Sequence, residues 1–211
     1  MPRRISQLAR LCRDGAATAC RVGWDFVFPR ACPWCGGEDE AASPAESWGP
    51  AFCAPCRAEI APLIEHACDR CGAPVGPYSD TSSGCVRCRD DRFAFERAVR
   101  LGVYDGALRT LCLRGKEPRG AALTAAAAEL LFERERLSLL AANIELVLPV
   151  PQHWTRRVWH GHNVAETIGR VLARRLRADF SGHILAKVRR TPKQTTLPPS
   201  ARRTNLRGAF D

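Results

Sequence analysis

Four Cys-x-x-Cys pairs between Cys32 and Cys88 constrain this chain more than any other feature, because they define a unit that needs a ligand to fold. They read Cys32-Pro-Trp-Cys35-Gly36, Cys53-Ala-Pro-Cys56-Arg57, Cys68-Asp-Arg-Cys71-Gly72 and Cys85-Val-Arg-Cys88-Arg89. Glycine follows the first and third pairs and arginine the second and fourth, so the segment is an internal repeat. Two thiolates on one tight turn grip one side of a Zn²⁺ ion, and two such turns complete a tetrahedral Cys₄ site. Glycine after the second cysteine accepts the positive φ that turns backbone N–H groups back toward sulfur. The repeat assigns one zinc to Cys32, Cys35, Cys53 and Cys56, and a second to Cys68, Cys71, Cys85 and Cys88. A cross-braced pairing would put like knuckles together, against the repeat. Four thiolates per ion leave no open coordination position, so both ions are structural, and the module is a fold staple or docking surface. Disulfides would need an oxidising compartment, and the N-terminal residues contain no apolar signal-peptide core. Cys12, Cys20 and Cys112 fall outside the pattern and read as small buried residues.

The charge is unevenly placed. Residues 146–211 hold 13 Lys/Arg against 3 Asp/Glu, whereas residues 1–145 hold 19 of each, so the whole net charge of +10 lies toward the C-terminal end. Such a field suits a phosphate-rich partner, a small phosphorylated molecule or a nucleic-acid backbone, and equally describes a solvated basic face. No run of apolar residues is long enough to span a membrane. The expectation is a soluble, cytoplasmic protein.

Residues 5–23 set Ile5, Leu8, Leu11, Cys12, Ala16, Ala19 and Val22 at helical spacing among arginines, which predicts an amphipathic helix within residues 1–27. The zinc module is expected over 28–92, with a short helix over 58–66 and His66 on its surface. Beyond it the texture becomes that of an α/β domain over 93–211. Alternation of Val99, Leu101 and Val103 predicts a strand within 93–104. A turn at Asp105-Gly106 leads into a helix over 107–113, and residues 121–142 read as one helix ending near Asn143. Residues 144–150 and 183–188 are strand candidates. Between them Asn163 caps a helix running to about Arg177, with Val164, Ile168, Val171, Leu172 and Leu176 on its inner side. Strand and helix alternating at these lengths predict a parallel sheet.

In such a sheet ligands gather at the carboxyl ends of strands. Here an apolar strand runs directly into residues 151–163, which include His153, Arg156, Arg157, His160, Gly161 and His162, and then into a helix. Guanidinium forks, loop N–H groups and a helix N-terminus make that loop a candidate anion site.

With these residues in view, the chain resembles the ComF family of competence proteins, which join a zinc-ribbon region to a type I phosphoribosyltransferase-like domain. The matching motifs, in order, are Phe28-Pro29, the four knuckles, Tyr104-Asp105-Gly106-Ala107-Leu108-Arg109, Lys116 with Arg119-Gly120, and Pro149-Val150-Pro151 with Arg156-Arg157 and Gly161-His162-Asn163. They continue with Arg189-Arg190-Thr191, Gln194, Leu197, Arg202-Arg203, Asn205 and Gly208-Ala209-Phe210. The resemblance implies that Arg156, Arg157, Gly161 and Asn163 face the diphosphate of phosphoribosyl diphosphate (PRPP), bound with Mg²⁺. It implies that the segment bearing Arg189, Arg190, Gln194 and Arg202 is a mobile loop over that site. His160-Gly161-His162-Asn163-Val164 stands where relatives commonly carry Arg-Gly-Phe-Asn-Gln, so those two side-chain contacts differ here. The family's Val-Asp-Asp-x-x-Thr-Thr-Gly loop, which supplies the acidic pair and the 5-phosphate cradle, has no counterpart up to Asp211. The resemblance therefore implies a domain truncated before its PRPP motif, and inactivity of these 211 residues alone as a transferase. The family role it implies is DNA uptake in natural transformation, beside a helicase-like partner at the inner face of the membrane. The alternative is a non-enzymatic zinc-ribbon adaptor for single-stranded DNA or a protein, with Trp34, Trp48, Trp154 and Trp159 as stacking faces.

Overall fold

The computed structural model describes residues 31–37, 51–153 and 163–211, excepting the side chain of Arg203. The helix expected within residues 1–27, and Trp48, Trp154, Arg156, Arg157, Trp159, His160, Gly161 and His162, lie outside the described residues.

The described chain is a zinc-ribbon N-terminal part followed by mixed helix and strand. Its elements are α1 (Ala54–Ile60), α2 (Gly106–Arg114), α3 (Ala121–Arg134), α4 (Arg136–Ala141), β1 (Leu146–Val147), α5 (Val164–Leu176), β2 (Asp179–Phe180), a 3₁₀ turn (Gln194–Thr196) and α6 (Pro199–Leu206). They stack in series: α1 packs on α2, α2 on α3, α3 on α5, and α5 on the sheet. The core runs through that stack, joining Cys32, Phe52, Cys56, Ile60 and Ala61 of the first ribbon to Leu108, Leu111, Leu123, Ala126, Ala127 and Leu130 of the helices.

Local chemistry sets the helix ends. Asp105 caps α2, its carboxylate accepting from Gly106 N at 2.8 Å. Asn163 caps α5, its Oδ1 accepting from Ala165 N at 3.1 Å. Arg177 closes α5 with φ +56°, and Asn143 ends the helical region at φ +47°, the left-handed conformation asparagine tolerates. Between α2 and α3 the backbone crosses itself closely. A Cβ on Gly120 would stand 2.4 Å from the Arg114 carbonyl oxygen. Buried Thr124 fastens the crossing, its hydroxyl donating to the carbonyls of Gly115 and Gly120 at 3.2 and 3.0 Å.

β1 and β2 pair in parallel, Leu146 beside Asp179 and Val147 beside Phe180, with α5 as the crossover. Gly169 lets α5 lie down on this sheet, since a Cβ there would meet the Phe180 ring at 2.9 Å. Arg170 covers the same ring, its guanidinium 4.5 Å from the centroid. On the α3 side, Glu129 is 3% exposed and accepts from Arg174 at 2.8 Å and Arg175 at 2.5 Å. A carboxylate buried between two helices is stable there because both guanidiniums reach it.

Several expectations are corrected. No strand forms over 93–104: Val99 and Leu101 find no partner strand, and Ala98 N donates instead to Arg70 O of the second ribbon at 3.0 Å. The helix expected over 121–142 is two helices broken at Glu135, where Arg134 bonds the Pro62 carbonyl at 3.2 Å. The helix placed at 58–66 begins earlier, at Ala54, because it grows out of the second knuckle. Residues 186–188 pair antiparallel with 209–211, giving a short ladder rather than a third parallel strand. Of the predicted inner side of α5, Val171 is buried, and Val164, Ile168, Leu172 and Leu176 are half-buried.

Glu129→Gln leaves two arginines facing a neutral amide. Because Arg174 is 56% exposed and can rehydrate, the expected loss is about 1–3 kcal/mol, below that for a fully buried pair. Urea denaturation checks this, and an unchanged midpoint would refute the bridging role of Glu129.

Candidate functional site

Among the described residues, two groups of side chains come close enough to hold a metal ion: Cys32, Cys35, Cys53 and Cys56, and Cys68, Cys71, Cys85 and Cys88. This is the consecutive pairing expected from the repeat, and the cross-braced pairing is excluded.

The alternation of glycine and arginine has a structural cause. In the first and third knuckles, Cys32 N donates to Gly37 O and Cys68 N to Ala73 O, both at 2.8 Å. Within them Gly36 N and Gly72 N donate back to Cys32 O and Cys68 O, again at 2.8 Å. That closure requires Gly36 at φ +75° and Gly72 at φ +72°. In the second and fourth knuckles the chain turns helically, with Arg57 N on Cys53 O and Arg89 N on Cys85 O, both at 2.9 Å. No left-handed residue is needed there, so arginine is tolerated.

The four sulfurs of each group lie within 4.8 Å of one another. Zinc–sulfur bonds of about 2.3 Å in a tetrahedron place sulfurs about 3.8 Å apart. Observed separations are 3.7 Å for Cys35–Cys53, 3.8 Å for Cys68–Cys88, 3.7 Å for Cys71–Cys85 and 3.9 Å for Cys85–Cys88. All eight are free thiols. The donor set therefore fits two structural Zn²⁺ ions. Backbone N–H groups complete the first site: Gly37 N donates to Cys35 Sγ and Cys53 N to Cys32 Sγ, each at 3.4 Å.

Crowding splits the thiols electrostatically. Burial pushes Cys32 up, but N–H groups of Cys35, Cys53 and Trp34 outweigh it and bring its pKa down to about 7. The N–H of Cys71, followed by those of Arg70 and Cys85, overcomes burial to hold Cys68 at about 6. Burial, reinforced by the neighbouring thiols, raises Cys56 and pushes Cys88 up to about 12. Without a cation, Cys32 and Cys68 give up their protons most readily, whereas Cys56 and Cys88 hold theirs.

The two ribbons differ in what surrounds them. The first belongs to the main core: Trp34 packs against it and carries Arg114 on its face at 5.1 Å. That face is therefore occupied by a cation rather than open for a base. The second has a small core of its own, its cysteines with Ala73, Val75 and Phe93. Arg70, which sequence reasoning passed over although it lies inside the third knuckle, fastens this ribbon. It donates to Cys88 O at 3.1 Å and Asp91 O at 2.7 Å and lies 5.1 Å over the Phe93 ring. His66 is exposed and outside both clusters, and Cys112 is half-buried beside the main core.

Of the residues expected at the diphosphate, Asn163 is the one described, and its side chain is spent on the α5 cap. The segment carrying Arg189, Arg190, Gln194 and Arg202 folds back on itself. Arg189 donates to Asn205 O and Arg207 O at 2.9 and 2.8 Å, Gln194 to Arg202 O at 3.1 Å, and Arg202 to Leu197 O at 3.1 Å. Arg190 is exposed. Among the described residues, no helix is long and apolar enough to cross a membrane.

The double zinc ribbon domain family matches residues 23–89, overlapping the module expected over 28–92. No curated protein and no solved structure matches the chain. Residues 23–89 carry a double zinc ribbon with two Cys₄ sites.

Metal analysis of protein purified without chelator should give two zinc ions per chain. Because Cys56 and Cys88 hold protons in the metal-free site, zinc must displace them, so affinity rises with pH and zinc escapes more readily to a chromophoric chelator as pH falls from about 8 to 6. One ion per chain, or pH-independent release, would refute this assignment. The ribbons should also separate by mutation. Cys56→Ser, in the shared core, should lower the helical thermal midpoint, whereas Cys88→Ser should cost one zinc and leave that midpoint near wild type. Equal midpoints would show that the cores are not distinct.

Proposed function

We propose that this chain is a ComF-type protein in which a structural double zinc ribbon is joined to a phosphoribosyltransferase-like domain that, in its complete form, binds PRPP with Mg²⁺. The observation that carries the reading is the β1–α5–β2 unit, a parallel pair with a helical crossover whose N-terminus is capped by Asn163. In sequence, residues 151–163 lie between the end of β1 at Val147 and the start of that helix at Val164, and open α/β sheets take ligands at the carboxyl ends of their strands. In this reading Arg156, Arg157 and Gly161 meet the diphosphate, and loop N–H groups and the α5 dipole add to their field. The reaction class is displacement at the sugar C1. The bond from C1 to the diphosphate oxygen breaks, the acceptor's electron pair forms the new bond, and pyrophosphate leaves with its charge stabilised by basic groups.

The segment 189–207 supports the same reading. Its ends are held together by the 186–188/209–211 ladder, as suits a flap attached at one edge of a site. The cellular role that accompanies the reading is DNA uptake at the inner face of the membrane, with single-stranded DNA and a helicase as partners.

A second reading, a non-enzymatic adaptor for single-stranded DNA or a protein, draws on the second ribbon, where Tyr78 is 99% exposed and Val86 80% exposed.

The deciding measurement is PRPP binding by the protein expressed from its complete gene, with and without Mg²⁺, against its R156A/R157A variant. Mg²⁺-dependent binding weakened by the double substitution is expected. Affinity indifferent to both arginines would remove the loop assignment, and salt-dependent DNA binding without any PRPP binding would favour the adaptor.

A further inference from the structure

Three arginines line one cavity of about 500 Å³ between the second ribbon and the α3–α4 junction. Arg97 and Arg100 come from the segment following the ribbon, and Arg134 from the last turn of α3. Arg100 reaches the cavity past Gly72, where a Cβ would stand 3.1 Å from the Arg100 Cδ. The glycine that closes the third knuckle therefore also admits this side chain. The Nε of Arg100 is buried and meets no acceptor among the described residues. A buried donor without an acceptor is a cost the fold ordinarily avoids. Arg134 donates to the Pro62 carbonyl at 3.2 Å, and Arg97 to the Ser138 hydroxyl. Burial and the neighbouring Arg57 press against the charge on Arg134, partly offset by Glu135.

Among the described residues none of the three forms an ion pair, whereas Arg57, Arg170, Arg174 and Arg175 each do. Asp69 and Glu135 also line the cavity. Asp69 is exposed and Glu135 half-buried, so water screens both more than it screens the buried Nε of Arg100. The remaining wall is apolar, formed by Leu63, Val99 and Leu101 among others.

We infer that this cavity binds a small phosphorylated molecule, its phosphate oxygens taken by Arg97, Arg100 and Arg134 and its organic part resting against Leu63, Val99 and Leu101. A guanidinium presents paired donors that match phosphate oxygens, and three cations suit a dianion better than a single carboxylate. The volume is in the range of small-molecule sites. None of the residues lining it belongs to the 151–163 loop, and the inference does not rest on the PRPP reading.

Inorganic pyrophosphate is the probe, titrated calorimetrically into the zinc-loaded full chain, into Arg100→Gln and into R156A/R157A. Binding by the wild type should weaken about tenfold or more in Arg100→Gln, the scale of a lost charge-assisted hydrogen bond, and persist in R156A/R157A. Failure of the wild type to bind, equal binding by Arg100→Gln, or abolition of all binding in R156A/R157A would overturn the inference. So would Arg100-dependent binding confined to an oligothymidylate, which would mark a nucleic-acid surface instead. If Arg100→Gln does not retain two zinc ions, Arg97→Gln decides by the same criterion.

Discussion

Thiols crowded within 4.8 Å cannot all ionise unless a cation sits among them. The ribbons depend on that constraint, and through the first ribbon the helical core does too. Cys32 and Cys56 are simultaneously metal ligands and core residues, packed with Leu108, Leu111 and Leu123. The ion thus stands in for hydrophobic mass that a short, loop-rich ribbon lacks. In the second ribbon the same chemistry supports a more local structure, with Arg70 supplying the cross-links that a larger apolar core would otherwise provide.

Beyond the ribbons, order is passed along by close approaches. Gly120 lets the chain cross itself between α2 and α3, and Gly169 lets α5 settle on Phe180. Glu129 then joins α3 to α5 through two arginines. Each contact is small, but they follow one another from the first ribbon to the sheet, so the β1–α5–β2 unit is tied to the ribbon through the helices.

How much of this could be read in the residues depends on how local the cause is. The zinc sites were legible because ligand spacing and the glycine after Cys35 and Cys71 act within a single turn. The cap at Asn163 was legible for the same reason, whereas Asp105, read as a turn residue, proves to cap α2. The alternation of Val99, Leu101 and Val103 misled, because a strand exists only where another backbone pairs with it, and here Arg70 O took the bond instead. Glu135 breaks the long helix without a proline or glycine to mark it. The burial of Glu129 depends on Arg174 and Arg175, some 45 residues away, and the arginine-lined cavity on a segment folding against the ribbon. The Cys₄ part of the expected site was therefore the part that sequence could place, whereas groups assembled from distant segments were invisible to it.

The ladder between 186–188 and 209–211 has a further consequence. Backbone bonds from Ala186 N to Asp211 O and from Val188 N to Ala209 O bring both ends of the intervening segment to one place. Because the bonds of Arg189, Gln194 and Arg202 stay inside the segment, rotation at its base would leave its own shape intact. The entropy of ordering it is met within the loop rather than at a binding event. Turning such a braced segment about its base needs few residues to change conformation, and Arg189 and Arg202 would travel as a fixed pair rather than as independent side chains.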